Sequence, residues 1–352
     1  MRLPHRPPPG PGTTLDTALD VRGLRVDFSE AGTASATPAV DGLDVTVRRG
    51  EIVALVGESG SGKTLTALSV MGLLPPGARI TGGRITLGDE DLTTLPPKRM
   101  NRIRGHRMAM LFQQPKVMLD PTCTVGSQVA EPLRVHGGLS RHQAKARVVE
   151  LLRDVGIPEP ERRASAYAHQ LSGGMAQRVM IAAALAGEPG LLIADEPTTA
   201  LDATVQAQIL RLLCRKQRES GMSVLLITHD LTIVTSIADR VAVMYAGRVV
   251  EEGSVHEVFD SPEHPYTRAL LKASLLQSEE GRLFSIPGSA VQSRGLDHGC
   301  RFHPRCPLAL DLGITGRCSG DEPPLHTCGG EHRCRCWASR PGTERVSEAV
   351  GI

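Results

Sequence analysis

The chain has 352 residues, 40% hydrophobic and 22% charged, a composition that excludes a wholly disordered polypeptide. Forty Lys and Arg side chains against 38 Asp and Glu leave a formal charge of +2, which excludes a whole-protein attraction to nucleic acid or anionic lipid. No apolar run reaches the roughly 18 residues that a membrane-spanning helix needs, and the opening MRLPHRPPPGPG lacks the apolar core of a secretory signal, so the chain is expected in the cytosol.

Residues 1–18, rich in Pro, Gly and Thr, read as a disordered tail. LDVRGLRVDF (19–28) alternates as a strand does, SEAGTASATP reads as a loop, and AVDGLDVTVRRG (39–50) resumes the alternation. EIVALVG (51–57) is a short apolar run stopped by glycine, as in a buried strand. KTLTALSVMGLL (63–74) has helical spacing, closed by the turn residues PPGARITGG, and residues 84–125 mix short strands and loops. Residues 126–187 are mainly helical in pattern. LLIAD (191–195) and SVLLITHD (223–230) again suit buried strands, with the amphipathic QAQILRLLCRKQRES between them. VAVMYAGRVVEEG predicts a final hairpin turning at Ala246-Gly247. Strands alternating with helices imply an α/β fold with a largely parallel sheet.

Near residue 260 the composition shifts. One short helix is predicted in DSPEHPYTRALLKASLL, and the rest is rich in Pro, Gly, Cys and Arg. A segment of about 85 residues buries little core alone, so it needs a metal or a docking surface. Five Phe, three Tyr and one Trp serve the whole chain, which predicts an aliphatic core. Of eight cysteines, Cys123 and Cys214 are isolated, whereas Cys300, Cys306, Cys318, Cys328, Cys334 and Cys336 crowd the C-terminal end. In a reducing compartment that crowding points to metal more than to disulfides.

Gly57-Glu58-Ser59-Gly60-Ser61-Gly62-Lys63-Thr64 matches G-x-x-x-x-G-K-[ST] in full, after a predicted strand and before a predicted helix. Glycines let backbone N–H groups curl around phosphate oxygens. Lys63 places a positive charge at the β- and γ-phosphates, the Thr64 hydroxyl suits Mg²⁺, and the helix aims its positive end at the anion. The pattern reads as a nucleotide-binding loop, with a phosphate-loop kinase or GTPase among the classes it allows. LLIADEP ends in Asp195, placed to hold Mg²⁺, and Glu196, placed to activate a water on the γ-phosphate. Leu171-Ser172-Gly173-Gly174-Met175 precedes a helix and forms a second anion-binding nest. Two such nests suit a head-to-tail pair in which each copy closes the other's site.

Those motifs, with the downstream QRVMIA, LLIADEPTTALD and Thr228-His229-Asp230, resemble an ABC transporter ATPase subunit over residues about 19–265. The resemblance implies a phosphate-loop ABC-type ATPase domain over 19–261, with a mostly parallel core sheet, an antiparallel β subdomain and a helical subdomain over about 115–178. By motif, Gln113 of MLFQQP is the glutamine that senses Mg²⁺, water and the membrane partner, with Gln114 a competing assignment. Glu196 and His229 carry catalysis with Gln113. ATP and Mg²⁺ are held by Gly57, Ser59, Gly60, Ser61, Gly62, Lys63, Thr64 and Asp195. Ser172, Gly173 and Gly174 serve the opposite copy, and Asp202 of TTALD sits at the dimer seam. Phe28 is the candidate for stacking on adenine; a core role is its alternative.

His264-Pro265-Tyr266-Thr267-Arg268-Ala269-Leu270-Leu271, Ile286-Pro287-Gly288 and GCRFHPRCP (299–307) resemble the C-terminal region of oligopeptide/dipeptide importer ATPases, a group that includes nickel importers. This gives a small Cys-rich domain over 262–352. It implies a [4Fe-4S] cluster on Cys300, Cys306, Cys318 and Cys336, with Cys328 and Cys334 as substitutes and zinc as the alternative metal. The resemblance further implies two membrane permease subunits, a second ABC ATPase subunit, an extracellular solute-binding protein acting indirectly, and a place on the cytoplasmic face of the cell membrane. Lys116, Val117 and Met118, where the segment departs from the group's usual pattern, are placed to adapt it to a particular permease. The reading is ATP-driven import of di- or oligopeptides; import of nickel or another small solute is the alternative. A soluble ABC ATPase is the distant one, lacking the paired modules or coiled coils expected of it.

Overall fold

The computed structural model describes residues 17–28, 38–199, 201–274, 278–279, 282–289, 293, 296 and 298–339. The tail expected over 1–18 lies outside them up to residue 16, and the loop expected after Phe28 lies outside them over 29–37.

Strands β1 (Thr17–Phe28) and β2 (Pro38–Arg48) pair antiparallel and bury Leu19, Val21, Leu24, Val26, Val40, Leu43, Val45 and Val47, the residues their alternation selects. β3 (Ile52–Val56) is buried throughout. Helix α1 (Lys63–Met71) starts after Gly62 and ends at left-handed Gly72. β4 (Ala78–Leu87) and β5 (Glu90–Asp91) complete an antiparallel sheet in the order β2-β1-β4-β5. α2 (Pro97–Ile103) leads to β6 (Met108–Leu111). Five helices follow: α3 (Pro115–Met118), α4 (Val125–Val135), α5 (Arg141–Asp154), α6 (Pro160–Arg163) and α7 (Gly173–Leu185). α5 opens on a capping box in which Ser140 and Gln143 exchange hydrogen bonds.

Then come β7 (Leu191–Asp195), α8 (Ala203–Ser220), β8 (Ser223–Thr228), α9 (Leu231–Ile237), β9 (Arg240–Tyr245) and β10 (Arg248–Ser254). β9, β3, β8, β7 and β6 lie side by side in parallel, and β10 folds back antiparallel on β9. Both faces of the parallel strands are covered, which is why they read as unbroken apolar runs. The chain continues through α10 (Val255–Asp260), α11 (Pro265–Ser274), a two-residue pairing of β11 (Ser278–Glu279) with β12 (Arg282–Leu283), α12 (Pro307–Asp311) and α13 (Thr315–Gly320). It closes on a hairpin, β13 (His326–Gly329) and β14 (His332–Cys334).

Two expectations are corrected. The hairpin at Ala246-Gly247 is not the final one, because β14 pairs with β10 and extends the main sheet to eight strands in the order β13-β14-β10-β9-β3-β8-β7-β6. The C-terminal region therefore joins the main sheet by main-chain pairing, covering the unpaired groups that β10 would expose as an edge. Nor is the core aliphatic throughout. Tyr245, Tyr266 and Phe302 are fully buried together, with ring centroids 4.6–5.5 Å apart.

Buried charge marks the same seam. Asp41 of β2 meets Arg25 at 3.0 Å, Arg248 at 2.7 Å, and Arg301 from the C-terminal region. Burial pushes its carboxyl up, but the Arg248 guanidinium, joined by Arg301 and Arg25, holds it below the usual carboxylate range. Glu251 of β10 is fully buried and accepts from the backbone N–H of Glu263 at 2.7 Å and of His264 at 3.0 Å, with His332 Nε2 at 2.7 Å. Truncating Glu251 to Ala strands three donors, so denaturant unfolding of Glu251→Ala should show a loss of about 3–5 kcal/mol. Glu251→Gln, which retains one acceptor oxygen, should lose less.

Candidate functional site

Parallel register builds the site. Val56 of β3 stands opposite Thr228 of β8, and Asp195 of β7 opposite Ile227. Gly57, Glu196 and His229 are each the next residue along their strands, so they leave the sheet on one edge. β6 pairs Leu111 with Ala194, and exposed Gln113 follows two residues after that strand.

The loop from Gly57 to Lys63 wraps tightly. A Cβ at Gly57 would sit 2.1 Å from the Met244 carbonyl oxygen, and one at Gly62 2.8 Å from that of Ala39. The Gly247 N–H donates to Ser61 O at 2.9 Å, so the β9–β10 turn holds the loop from below. Ser59 and Gly60 stay exposed, and Ser61 is buried. Lys63 Nζ is folded into the loop, donating to Gly57 O at 2.8 Å and Glu58 O at 2.9 Å. Burial lowers its pKa, against the pull of Glu196, Asp195 and Glu58. A phosphate oxygen arriving in the loop would compete with these carbonyls for the ammonium.

The Thr64 hydroxyl donates to Asp195 Oδ1 at 3.4 Å, joining a hydroxyl and a carboxylate where a divalent cation needs oxygen ligands. Burial raises the Asp195 pKa, a penalty that bound cationic charge would relieve. Glu196 has φ 49°, a left-handed backbone that is unusual for a side-chain-bearing residue. Its N–H is anchored on Ile227 O at 2.9 Å. Its carboxylate meets His229 Nδ1 at 2.6 Å through one oxygen and Thr199 Oγ1 at 3.0 Å through the other. Glu196 and His229 thus form one unit, 33 residues apart in sequence.

The remaining predicted residues are placed differently. Ser172 caps α7, accepting from Met175 N–H, and Asp202 caps α8, accepting from Thr204 and Val205 N–H. Gly174 lies against Val205 of α8, with a hypothetical Cβ 2.9 Å from it. These caps lie on helices of their own, whereas the loop, Asp195, Glu196 and His229 share one sheet edge. Ala200, within the TTALD segment, lies outside the described residues. Phe28 ends β1 opposite Ala78 and is 40% exposed, outside the buried core. Two residues without an expected role also reach the loop. Tyr266 Oη accepts from Glu58 N–H at 2.8 Å, and Arg305 grips the Glu58 carboxylate at 3.1 and 3.2 Å. Both stand in the quoted motifs HPYTRALL and HPRCP, but nothing local in the sequence shows what they touch.

Cys300, Cys306, Cys318 and Cys336 line one cavity, together with His264 and His303 and with apolar and aromatic groups including Phe302, Leu308, Ile314 and Trp337. Cys328 and Cys334 lie on the adjoining hairpin. Burial pushes Cys300 up to about 12 and Cys306 up to about 11, while the Cys334 contact brings Cys336 down to about 7. Among the described residues, no three His, Cys, Asp or Glu side chains are gathered as ligands for one metal ion.

Residues 40–199 match the family model described as ABC transporter, and residues 250–312 match that described as oligopeptide/dipeptide transporter, C-terminal region. The chain is 47% identical to a dipeptide transport ATP-binding protein, DppD, of Haemophilus influenzae, covering 90% of this chain and 94% of that protein. With DppD of Escherichia coli strain K12 it is 44% identical, over 90% and 95%. In three dimensions it resembles the ATP-binding cassette MJ0796, solved as a post-hydrolysis dimer with ADP and Pi, at TM-score 0.61 and 28% identity over 67% of this chain and 98% of that one.

The tightness of the loop gives a contrast to measure. Gly57→Ala forces its Cβ against Met244 O and should cost about 1–3 kcal/mol in denaturant unfolding, with weakened ATP binding. Gly173→Ala meets nothing within 4 Å and should stay within about 0.5 kcal/mol of the parent.

Proposed function

The chain belongs to the ABC transporter family of ATP-binding subunits, and from that footing we propose that it hydrolyses ATP to drive import of di- and oligopeptides through a membrane permease. The observation that carries this reading is that identity to dipeptide transport ATP-binding proteins runs over nine-tenths of the chain, C-terminal region included. The sheet-edge site supplies the chemistry.

Lys63 and the amides of residues 57–64 receive the β- and γ-phosphates. Thr64, Asp195 and Gln113 would hold Mg²⁺, which supplies charge neutralisation at the phosphate oxygens. Glu196 accepts the proton of the attacking water, and His229, 2.6 Å from it, orients that carboxylate and reaches the γ-phosphate. Ser172, Gly173 and Gly174 of a second ATPase subunit close the site over the nucleotide, with Asp202 at the seam and Phe28 against adenine. The solved MJ0796 dimer supports such pairing. No helix among the described residues is long and apolar enough to cross a membrane. The names of the dipeptide transport ATP-binding relatives support assigning the transport path to permease subunits, two in number, served outside by a solute-binding protein, with this chain peripheral on the cytoplasmic face. Exposed Val117 and Met118 on α3 offer the permease an apolar contact.

The four-thiol cavity offers an iron–sulfur cluster its donor set: four cysteines, with His264 and His303 also in the lining and no competing carboxylate. A zinc ion on the same thiols, with sulfur ligands at about 2.3 Å, is the alternative. A cluster there would supply redox-active or purely structural iron. Loading would release protons from the thiols that burial keeps neutral.

Uptake of labelled di- and oligopeptides, with nickel in parallel, tests the transport reading. Lys63→Ala and Glu196→Gln should each abolish peptide uptake and leave nickel uptake unchanged. Glu196→Gln should keep ATP binding and a closed dimer while turnover falls at least about 100-fold. Peptide uptake unaffected by Lys63→Ala overturns the reading, and loss of nickel uptake alone moves it to metal import. Anaerobic purification should return about four iron and four sulfide per chain. Less than half an equivalent of any metal would sink the cluster.

A further inference from the structure

We propose that Arg305 and Tyr266 are positioning residues of the ATP site, fixing Glu58 of the phosphate loop and masking its carboxylate from the nucleotide. Each polar group of Glu58 has a partner. Its N–H donates to Tyr266 Oη at 2.8 Å. Its carbonyl accepts from Ser61 N–H at 3.1 Å and from Lys63 Nζ at 2.9 Å. Its carboxylate takes both arms of the Arg305 guanidinium, at 3.1 and 3.2 Å. The two outer partners belong to the C-terminal region and the two inner ones to the loop. Glu58 is the post through which one holds the other.

Arg305 is itself rigid. Its side chain is only 6% exposed. It donates to the Pro287 carbonyl, to Ile286 O at 3.1 Å and to Tyr245 Oη at 3.1 Å. The guanidinium lies over the rings of Tyr245 and Phe302, at 5.6 and 5.9 Å from their centroids. A bidentate pair held from behind in this way has little orientational freedom.

The charge gives this arrangement its purpose. Glu58 is the first residue after Gly57 in a loop that must cradle a polyanion. An unpaired carboxylate there repels the triphosphate and competes for Lys63, whose Nζ already touches the Glu58 carbonyl. Arg305 cancels the carboxylate, leaving Lys63 on the Glu58 carbonyl. Tyr266 holds the backbone N–H, so the loop keeps its curl before ATP arrives. This ATP-site role rests on the ATPase reading above, and its test separates the two.

The measurement is ATP affinity of the full-length chain by titration calorimetry, with melting temperature as the folding control. Arg305→Ala should raise the Kd about tenfold, equivalent to about 1.4 kcal/mol. Adding Glu58→Gln to Arg305→Ala should return the Kd to within about threefold of the parent, because no charge then needs masking. A merely structural arginine is not rescued by removing a carboxylate. Tyr266→Phe keeps the buried ring, loses the acceptor, and should raise the Kd several-fold, about threefold or more. If Arg305→Ala fails to fold, Arg305→Lys replaces it: one donor in place of two leaves its Kd between parent and the tenfold loss. Unchanged affinity in the Arg305 and Tyr266 variants, or a double variant no better than Arg305→Ala, overturns the inference. Failure of the parent itself to bind ATP overturns the ATPase reading instead.

Discussion

The parallel pairing of β3 with β8, and of β8 with β7, is the constraint on which everything else rests. Val56 against Thr228 and Asp195 against Ile227 end the three strands at nearly one level. The phosphate loop, the Asp195–Glu196 pair and His229 leave the sheet there, although up to 172 positions separate them in the chain. A shift of one residue in either pairing would turn each side chain to the opposite face. It would part Thr64 from Asp195 and Glu196 from His229. The register is held by burial of every residue in β3, β7 and β8, so the cost of slipping falls on the whole apolar core.

A large share of this site is legible in the sequence because its chemistry dictates residue type at fixed local spacing. Phosphate binding demands glycines, a lysine and a hydroxyl within eight positions, and the buried strands demand unbroken apolar runs on either side of them. The antiparallel strands likewise show their alternation, and the structure only moves the first start to Thr17. What the sequence hides is pairing between distant residues. Arg305 lies 247 positions from Glu58, and Asp41 lies 260 from Arg301. No periodicity announces such a pair. The same holds for β14, whose three residues are too few to read as a strand and whose place is decided by the free edge of β10. The aromatic seam is hidden for a related reason: nine aromatics scattered over the chain reveal nothing of the three that meet.

The C-terminal region answers its shortage of core by borrowing. It lends two strands to the main sheet and one tyrosine and one phenylalanine to the cluster around Tyr245. Its polar contacts then fix where it sits. Apolar surfaces alone are non-directional and allow neighbouring arrangements. Asp41 needs Arg301, Glu251 needs His332 and the N–H groups of Glu263 and His264, and Glu58 needs Arg305. A displacement of a few ångströms would leave several buried or half-buried charges unpaired at once, which is far costlier than any single contact is stabilising.

This arrangement gives the thiol cavity a short physical route to the nucleotide site. Cys306 lines the cavity, and its neighbour Arg305 grips Glu58 in the phosphate loop. Phe302 lines the same cavity and packs on Tyr266, whose hydroxyl accepts from the Glu58 N–H. Both links pass through buried rings and a side chain with little freedom. Cys306 and Phe302 thus each adjoin a residue that holds Glu58, its carboxylate through Arg305 and its backbone N–H through Tyr266, while Lys63 and Ser61 hold its carbonyl from within the loop.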